Sequence, residues 1–328
     1  MPLSDLEARL QRLGFDRYLA ALLLTIVLAA LLPARGEFAA GLSQVTYWAV
    51  ALLFFLYGAK LSLAAIWAGL TNWRLQLAVL AATYLLFPVL TLGMQELAVM
   101  VLPVTVAIGF LYIGCLPSTV QSSIAFTSIA EGNVAGAVCA ASISNLLGVV
   151  LAPVLLALLL HTDGGAIDIQ GAMWKIAQQI LLPFVLGQLC RPVLSGILNR
   201  HKLPVMLVDR GSILLIVYSA FSAGMVQGIW SRLEPLGIAV LVGLCLVLLA
   251  LVLLAVQQGA TLLRLNREDR LAALFCGSTK SLATGLPMAS ILFPKDQLAL
   301  IVLPLMLYHL LQLAVLAVYS RRVAGRTA

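Results

Sequence analysis

Gly114-Cys115-Leu116-Pro117-Ser118-Thr119-Val120-Gln121-Ser122-Ser123-Ile124-Ala125 and Cys276-Gly277-Ser278-Thr279-Lys280-Ser281-Leu282-Ala283-Thr284-Gly285-Leu286-Pro287 decide how this chain folds. Each sets a small, hydroxyl-rich, helix-breaking stretch inside sequence apolar enough for lipid. Unpaired backbone groups cost several kcal/mol in hydrocarbon, so such breaks survive only when buried in protein or lining a wet cavity. Paired breaks at matching positions of two halves are the sequence mark of a secondary transporter's binding site.

The surrounding composition agrees. Of 328 residues, 62% are apolar and 10% charged, with a mean hydropathy of +1.07. Soluble domains hold about a quarter charged residues, so the chain reads as an integral membrane protein. A window of about 19 residues finds ten apolar spans, near 18–33, 43–66, 74–95, 98–129, 134–160, 172–190, 207–230, 235–260, 269–293 and 297–320. The fourth and ninth carry the breaks. Residues 1–17 alternate leucine with Arg9, Arg12 and Arg17 and read as an amphipathic lead-in on the membrane surface, with no signal-peptide cleavage pattern. Cys115, Cys139, Cys190, Cys245 and Cys276 fall in apolar segments without metal-ligand spacing, so they read as small buried hydrophobes.

The net charge of +7 is a matter of topology, because the basic residues are sorted by loop. Fourteen of the twenty fall on one side, among them Arg74, Arg191, Arg200, Arg264, Arg267, Arg270, Arg321 and Arg322. Only Arg35, Arg232 and Lys295 fall on the other. By the positive-inside rule both termini face the cytoplasm, and a bacterial inner membrane is the expected location.

Sliding the chain by 158 residues lays Ser123 on Ser281 and Ala125 on Ala283, with the breaks in register. Five spans per half make the second half enter the membrane upside down. The expected fold is therefore an all-α polytopic membrane protein, with about ten transmembrane helices in two inverted five-helix repeats and broken, crossing helices 4 and 9. Residues 18–160 form the first repeat and 161–328 the second.

Lys280 is the most unusual residue. A charge in mid-span costs from a few to more than ten kcal/mol, by order of magnitude, unless solvated or paired. It reads as a fixed positive charge at the binding site, a stand-in for a coupling cation, or a proton carrier. The plainer reading is a lysine that snorkels to the interface, made difficult by about ten residues of span on either side, or one held by helix-end carbonyls. Gln121, Ser122, Ser123, Asn145, Thr279 and Ser281 complete the candidate substrate and ion site, with Ser122, Ser123 and Ser278 as candidate sodium ligands. Ser and Thr also simply patch breaks and let helices pack closely. His309 and Gln312 share one face of the tenth span, where His309 is a candidate proton relay or a hydrogen-bonded packing residue. Lys60 can snorkel. No carboxylate is placed at the membrane centre.

The two breaks, Pro183 to Arg191 in its Pro-x3-Gly-x3-Arg form, Leu303-Pro304-Leu305-Met306-Leu307-Tyr308-His309 through Gln312, and Asp209-Arg210 leading to Val217-Tyr218-Ser219 resemble the bile acid:sodium symporter family, in its divergent bacterial branch. The resemblance covers essentially the whole chain. It implies a panel of spans 1, 2, 6 and 7 and a core of spans 3–5 and 8–10. It also implies a small organic, amphipathic anion as substrate, and Na⁺ or H⁺ as coupling ion. Family members carry a glutamate in the ninth-span break and Ser-Asn in the fourth. Here Cys276 through Ser281 has no glutamate and Lys280 sits close by, which opens a sodium-independent alternative.

The expected function is secondary active transport by alternating access, with no cofactor beyond a candidate Na⁺. For an intramembrane enzyme the chain lacks a paired intramembrane aspartate, a Gly-x-Ser-x-Gly elbow and a His-Glu-x-x-His helix. A channel or a non-transporting regulator remains the other class, since fold does not fix function.

Overall fold

The computed structural model describes residues 17–60, 72–161, 174, 177–226, 228 and 234–324. The lead-in up to residue 16, the loop from 162 and Lys175 lie outside the described residues. Every regular element among the described residues is helical. The order is α1 (Arg17–Leu31), α2 (Gly36–Lys60), α3 (Trp73–Val99), α4 (Val104–Cys115), α5 (Gln121–Ile129), α6 (Val134–His161), α7 (Leu182–Arg200), α8 (Lys202–Val226), α9 (Pro235–Leu262), α10 (Arg267–Ser278), α11 (Leu282–Leu292) and α12 (Lys295–Ala324). Six helices among the described residues are long and apolar enough to cross a membrane, and α1 and α4 add shorter apolar segments. The chain is an integral membrane protein.

Several helices differ from their expected limits: α2 begins at Gly36 rather than near 43, and α8 at Lys202 rather than near 207. The sixth span is expected to end at Cys190, yet α7 runs on through Pro192 to Arg200. Cys190 is exposed on α7, so the expectation that all five cysteines are buried fails at this one. The fourth span is expected from 98, whereas α3 continues to Val99 and a turn at Pro103 precedes α4. Apolar periodicity marks which residues favour lipid. It does not mark where a helix stops.

The main apolar core draws on α1 to α4, α6 and α8 to α12, with Val106, Phe110, Leu111, Leu116, Val252, Leu286 and Leu305 among its buried residues. α4 lies against α12 so closely that a Cβ on Gly109 would run into the Ile301 carbonyl and the Pro304 ring. Exposed Leu246, Val247, Leu251 and Leu254 on α9 make the surface that a bilayer covers.

Candidate functional site

Both breaks have a local cause. The residue before a proline is pushed out of the helical region, and Leu116, preceding Pro117, is extended with ψ 151°. The chain then runs through Pro117, Ser118 and Thr119 before α5 begins at Gln121. No proline stops α10. Thr279 turns extended (ψ 148°), and α11 restarts behind Ser281, whose hydroxyl caps it by accepting from the Thr284 N–H at 3.2 Å.

A broken helix in an apolar interior must place its orphan carbonyls and N–H groups, and here the two breaks satisfy each other. The Ser281 N–H donates to the Pro117 carbonyl at 2.9 Å. The Ser118 hydroxyl donates to the Cys276 carbonyl at 2.6 Å. Tyr308 supplies the Ser278 carbonyl at 2.9 Å, and Asn145 supplies the Ser118 carbonyl at 2.8 Å while accepting from Thr284. Gln312 reads both backbone groups of Lys280: its Oε1 accepts from the Lys280 N–H at 2.8 Å and its Nε2 donates to the Lys280 carbonyl at 2.9 Å. Gln312 Nε2 also lies 2.8 Å from His309 Nδ1, which in turn lies 3.3 Å from the Lys280 carbonyl.

Lys280 is 0% exposed. Its Nζ lies 3.0 Å from the Thr83 carbonyl, 3.1 Å from that of Gly114 and 2.6 Å from that of Leu116. The Phe87 ring lies beneath it, centroid at 4.0 Å. Three acceptors match the three N–H donors of an ammonium, whereas a neutral amine has two and would turn its lone pair on a carbonyl. Carbonyl dipoles and a ring face are the groups that would solvate an ammonium here, with no carboxylate among its contacts in the described residues.

The Thr83 carbonyl is free for this purpose because of a π-turn at Ala82–Leu86. The Phe87 N–H bonds the Ala82 carbonyl, and the next candidate donor, Pro88, has no N–H. Gly114 and Leu116 belong to the end of α4, where carbonyls lose their helical partners.

The other candidate residues divide. Ser122 is half-buried and donates to Thr119 at 2.8 Å; Thr119 donates to Thr279 at 3.0 Å, and Thr279 to the Phe275 carbonyl at 2.9 Å. This hydroxyl chain crosses from one break to the other. Ser123 and Ser278 are both buried; the Ser123 hydroxyl donates to the Thr119 carbonyl within the break, and the Ser278 hydroxyl to the Leu274 carbonyl of its own helix at 2.6 Å. Gln121 is exposed at the start of α5, and His309 is half-buried beside Gln312. Lys280, Ser281, Thr279, Asn145, Ser122 and Ser123 are brought to one crossing, and Gln121 to its edge. The sequence reading missed Thr83, Phe87, Ser118 and Tyr308.

At the far end of α10 a second polar cluster fixes the core. Asp269, 7% exposed, accepts from Asn72 at 2.9 Å and Asn133 at 2.7 Å. The Asn133 N–H donates to the Glu268 carbonyl at 3.0 Å. The carboxylate so joins the starts of α3, α6 and α10. Hydrogen bonds to a charged group contribute about 1.5–3 kcal/mol each, so Asp269→Ala is expected to lower unfolding free energy by about 2 kcal/mol or more. Thermal unfolding in detergent measures it, and an unchanged midpoint would show that the cluster carries no stability.

Comparison with known proteins places the chain in a family. The family model described as the SBF-like CPA transporter family matches residues 16–325. The chain belongs to that family. Within it, the chain is 47% identical over 312 residues to the uncharacterized protein PA2026 of Pseudomonas aeruginosa, covering 95% of this chain and 93% of that one. It is 46% identical over 315 residues to YfeH of Escherichia coli strain K12, covering 95% and 94%. It is 29% identical over 310 residues to sodium/bile acid cotransporter 7 of Rattus norvegicus, covering 92% and 90%. The resemblance to the bile acid:sodium symporter family read from the sequence is thereby established, and the relatives are named as transporters or symporters.

Proposed function

We propose that the chain is a secondary transporter of a small organic, amphipathic anion, working by alternating access, in which the Lys280 ammonium takes the place of a coupling cation. One observation carries this reading: Nζ sits in a cage of three carbonyl oxygens, the hard donor set that a bare monovalent cation takes. With the cage filled from within, coupling falls to protons or to exchange.

The architecture proposed is ten spans in two inverted five-helix repeats, residues 18–160 and 161–328. The broken fourth span is α4 with α5, and the broken ninth is α10 with α11. Helix pairing supports it, because α1 packs on α8 and α2 on α7, the two pairings that an inverted repeat makes equivalent. So does the Ser118–Cys276 hydrogen bond, whose partners are 158 residues apart, the offset between the halves. Equivalent residues meet at a two-fold axis. The panel would be α1, α2, α7 and α8, moving against the remaining helices with both termini cytoplasmic. An apolar groove of about 560 Å³ lies among α1, α2 and α8, away from the breaks.

Sodium symport is the second reading. The name of the rat relative favours it, as do the hydroxyl oxygens of Ser122, Thr119 and Thr279 gathered at the crossing. Uptake of a labelled bile acid into proteoliposomes separates the two. Accumulation is expected to follow a pH gradient or counterflow and to be indifferent to replacing sodium with choline. Accumulation driven by sodium alone would overturn the first reading, and no flux under any gradient would overturn both.

A further inference from the structure

The arginine-rich end of the core carries a site that the transport reading does not use. A cavity of about 330 Å³ opens between the ends of α9 and α12 and the start of α10. Arg267 and Arg270 stand on one wall, Gln257 and Thr261 on α9 form another, and Tyr319 closes the α12 side. Leu271 and Leu274, both buried, make an apolar floor.

Neither arginine is spent. Arg267 makes no hydrogen bond or ion pair among the described residues. Arg270 is anchored by Nε to the Leu265 carbonyl at 2.7 Å, which leaves its terminal N–H groups to point elsewhere. Of the neighbouring acids, Asp269 is buried and held by Asn72 and Asn133, and the exposed Glu268 forms no ion pair with either arginine among the described residues. Arg264, Arg321 and Arg322 crowd the same helix ends. Just beyond the groove Leu262 is 83% exposed and Leu254 58%, surface that acyl chains cover.

We propose that this groove binds the headgroup phosphate of an anionic phospholipid. Two forked guanidinium groups match phosphate oxygens, hydroxyl and amide donors stand beside them, and the way out of the groove is along lipid-facing helices. Basic pockets between membrane helices bind anionic headgroups by this combination. A soluble anion would gain nothing from the apolar floor and flanks.

The test uses the full chain in detergent, titrated with phosphatidylglycerol, phosphatidylcholine or inorganic phosphate while thermal unfolding is followed. Phosphatidylglycerol is expected to raise the midpoint, and the other two to leave it unchanged. Arg267→Gln, which breaks no hydrogen bond, is expected to weaken the phosphatidylglycerol response on the order of fivefold, the share of one arginine. Arg322→Gln, outside the groove, is expected to leave it unchanged. Equal losses in the two variants would reduce the effect to general surface charge. A shift with phosphate alone would make this a free-anion site, and an unaltered response in Arg267→Gln would overturn the assignment. Since each response is read relative to the same variant without lipid, a loss of basal stability does not obscure it.

Discussion

Lys280→Ala is expected to be the most damaging single substitution in the chain. It strands the carbonyls of Thr83, Gly114 and Leu116 in a dry interior. An unpaired buried acceptor costs about 1–3 kcal/mol, and three of them together rival the whole stability of an ordinary domain. Failure to accumulate folded protein is the expected result. Lys280→Gln is the informative variant. Its amide has two N–H donors for three carbonyls, and it removes the charge, so the cage becomes a vacancy for a cation. Sodium is then expected to stabilise Lys280→Gln relative to potassium or choline at equal ionic strength, by about 2.7 kcal/mol at a hundredfold excess over Kd. The unsubstituted protein is expected to show no such preference. A sodium-specific rise in the unsubstituted protein, or an indifferent Lys280→Gln, would remove the ammonium from the role of the cation.

That expectation depends on how much of the site the sequence revealed. Lys280 was conspicuous because a lysine amid apolar residues has few physical excuses. Pro117 and the hydroxyl runs marked both breaks for a similar reason, since each opposes a continuous helix. The partners of Lys280 were hidden. Backbone carbonyls carry no sequence signature, and the Thr83 carbonyl becomes available only through the combination of a π-turn and the missing N–H of Pro88. Gln312 and His309 could be placed on one helix face by spacing, but that Gln312 grips the Lys280 backbone needs the tertiary fold. In sequence Asp269 stands in Arg267-Glu268-Asp269-Arg270, where nothing sets it apart. Its amide partners come from Asn72 and Asn133, 197 and 136 residues away in sequence. Local rules read the places where a helix fails. What satisfies the failure is non-local.

Gly187, in the Pro-x3-Gly-x3-Arg stretch, yields the other large effect. A Cβ there would collide with the Phe55 carbonyl, and a Cβ on Gly58 would collide with that of Phe184. The two glycines thus let the backbones of α2 and α7 touch from both sides. Close approach of this kind is what holds helices together in lipid, where no hydrophobic force does so. The obstructing atoms are backbone carbonyls within helices, so no side-chain rotation relieves the clash. Gly187→Ala is expected to cost about 1–3 kcal/mol, the range for overpacking, and Gly187→Leu to separate the two helices. Gly196, lower on the same α7, faces open space and serves as the control: Gly196→Ala exchanges the weakest ordinary helix former for the best and is expected to be neutral or slightly stabilising. Thermal unfolding of the three variants checks the pairing. If Gly187→Ala and Gly196→Ala unfold alike, the direct contact of α2 and α7 is not what fixes these helices, and a rigid four-helix panel loses its physical basis.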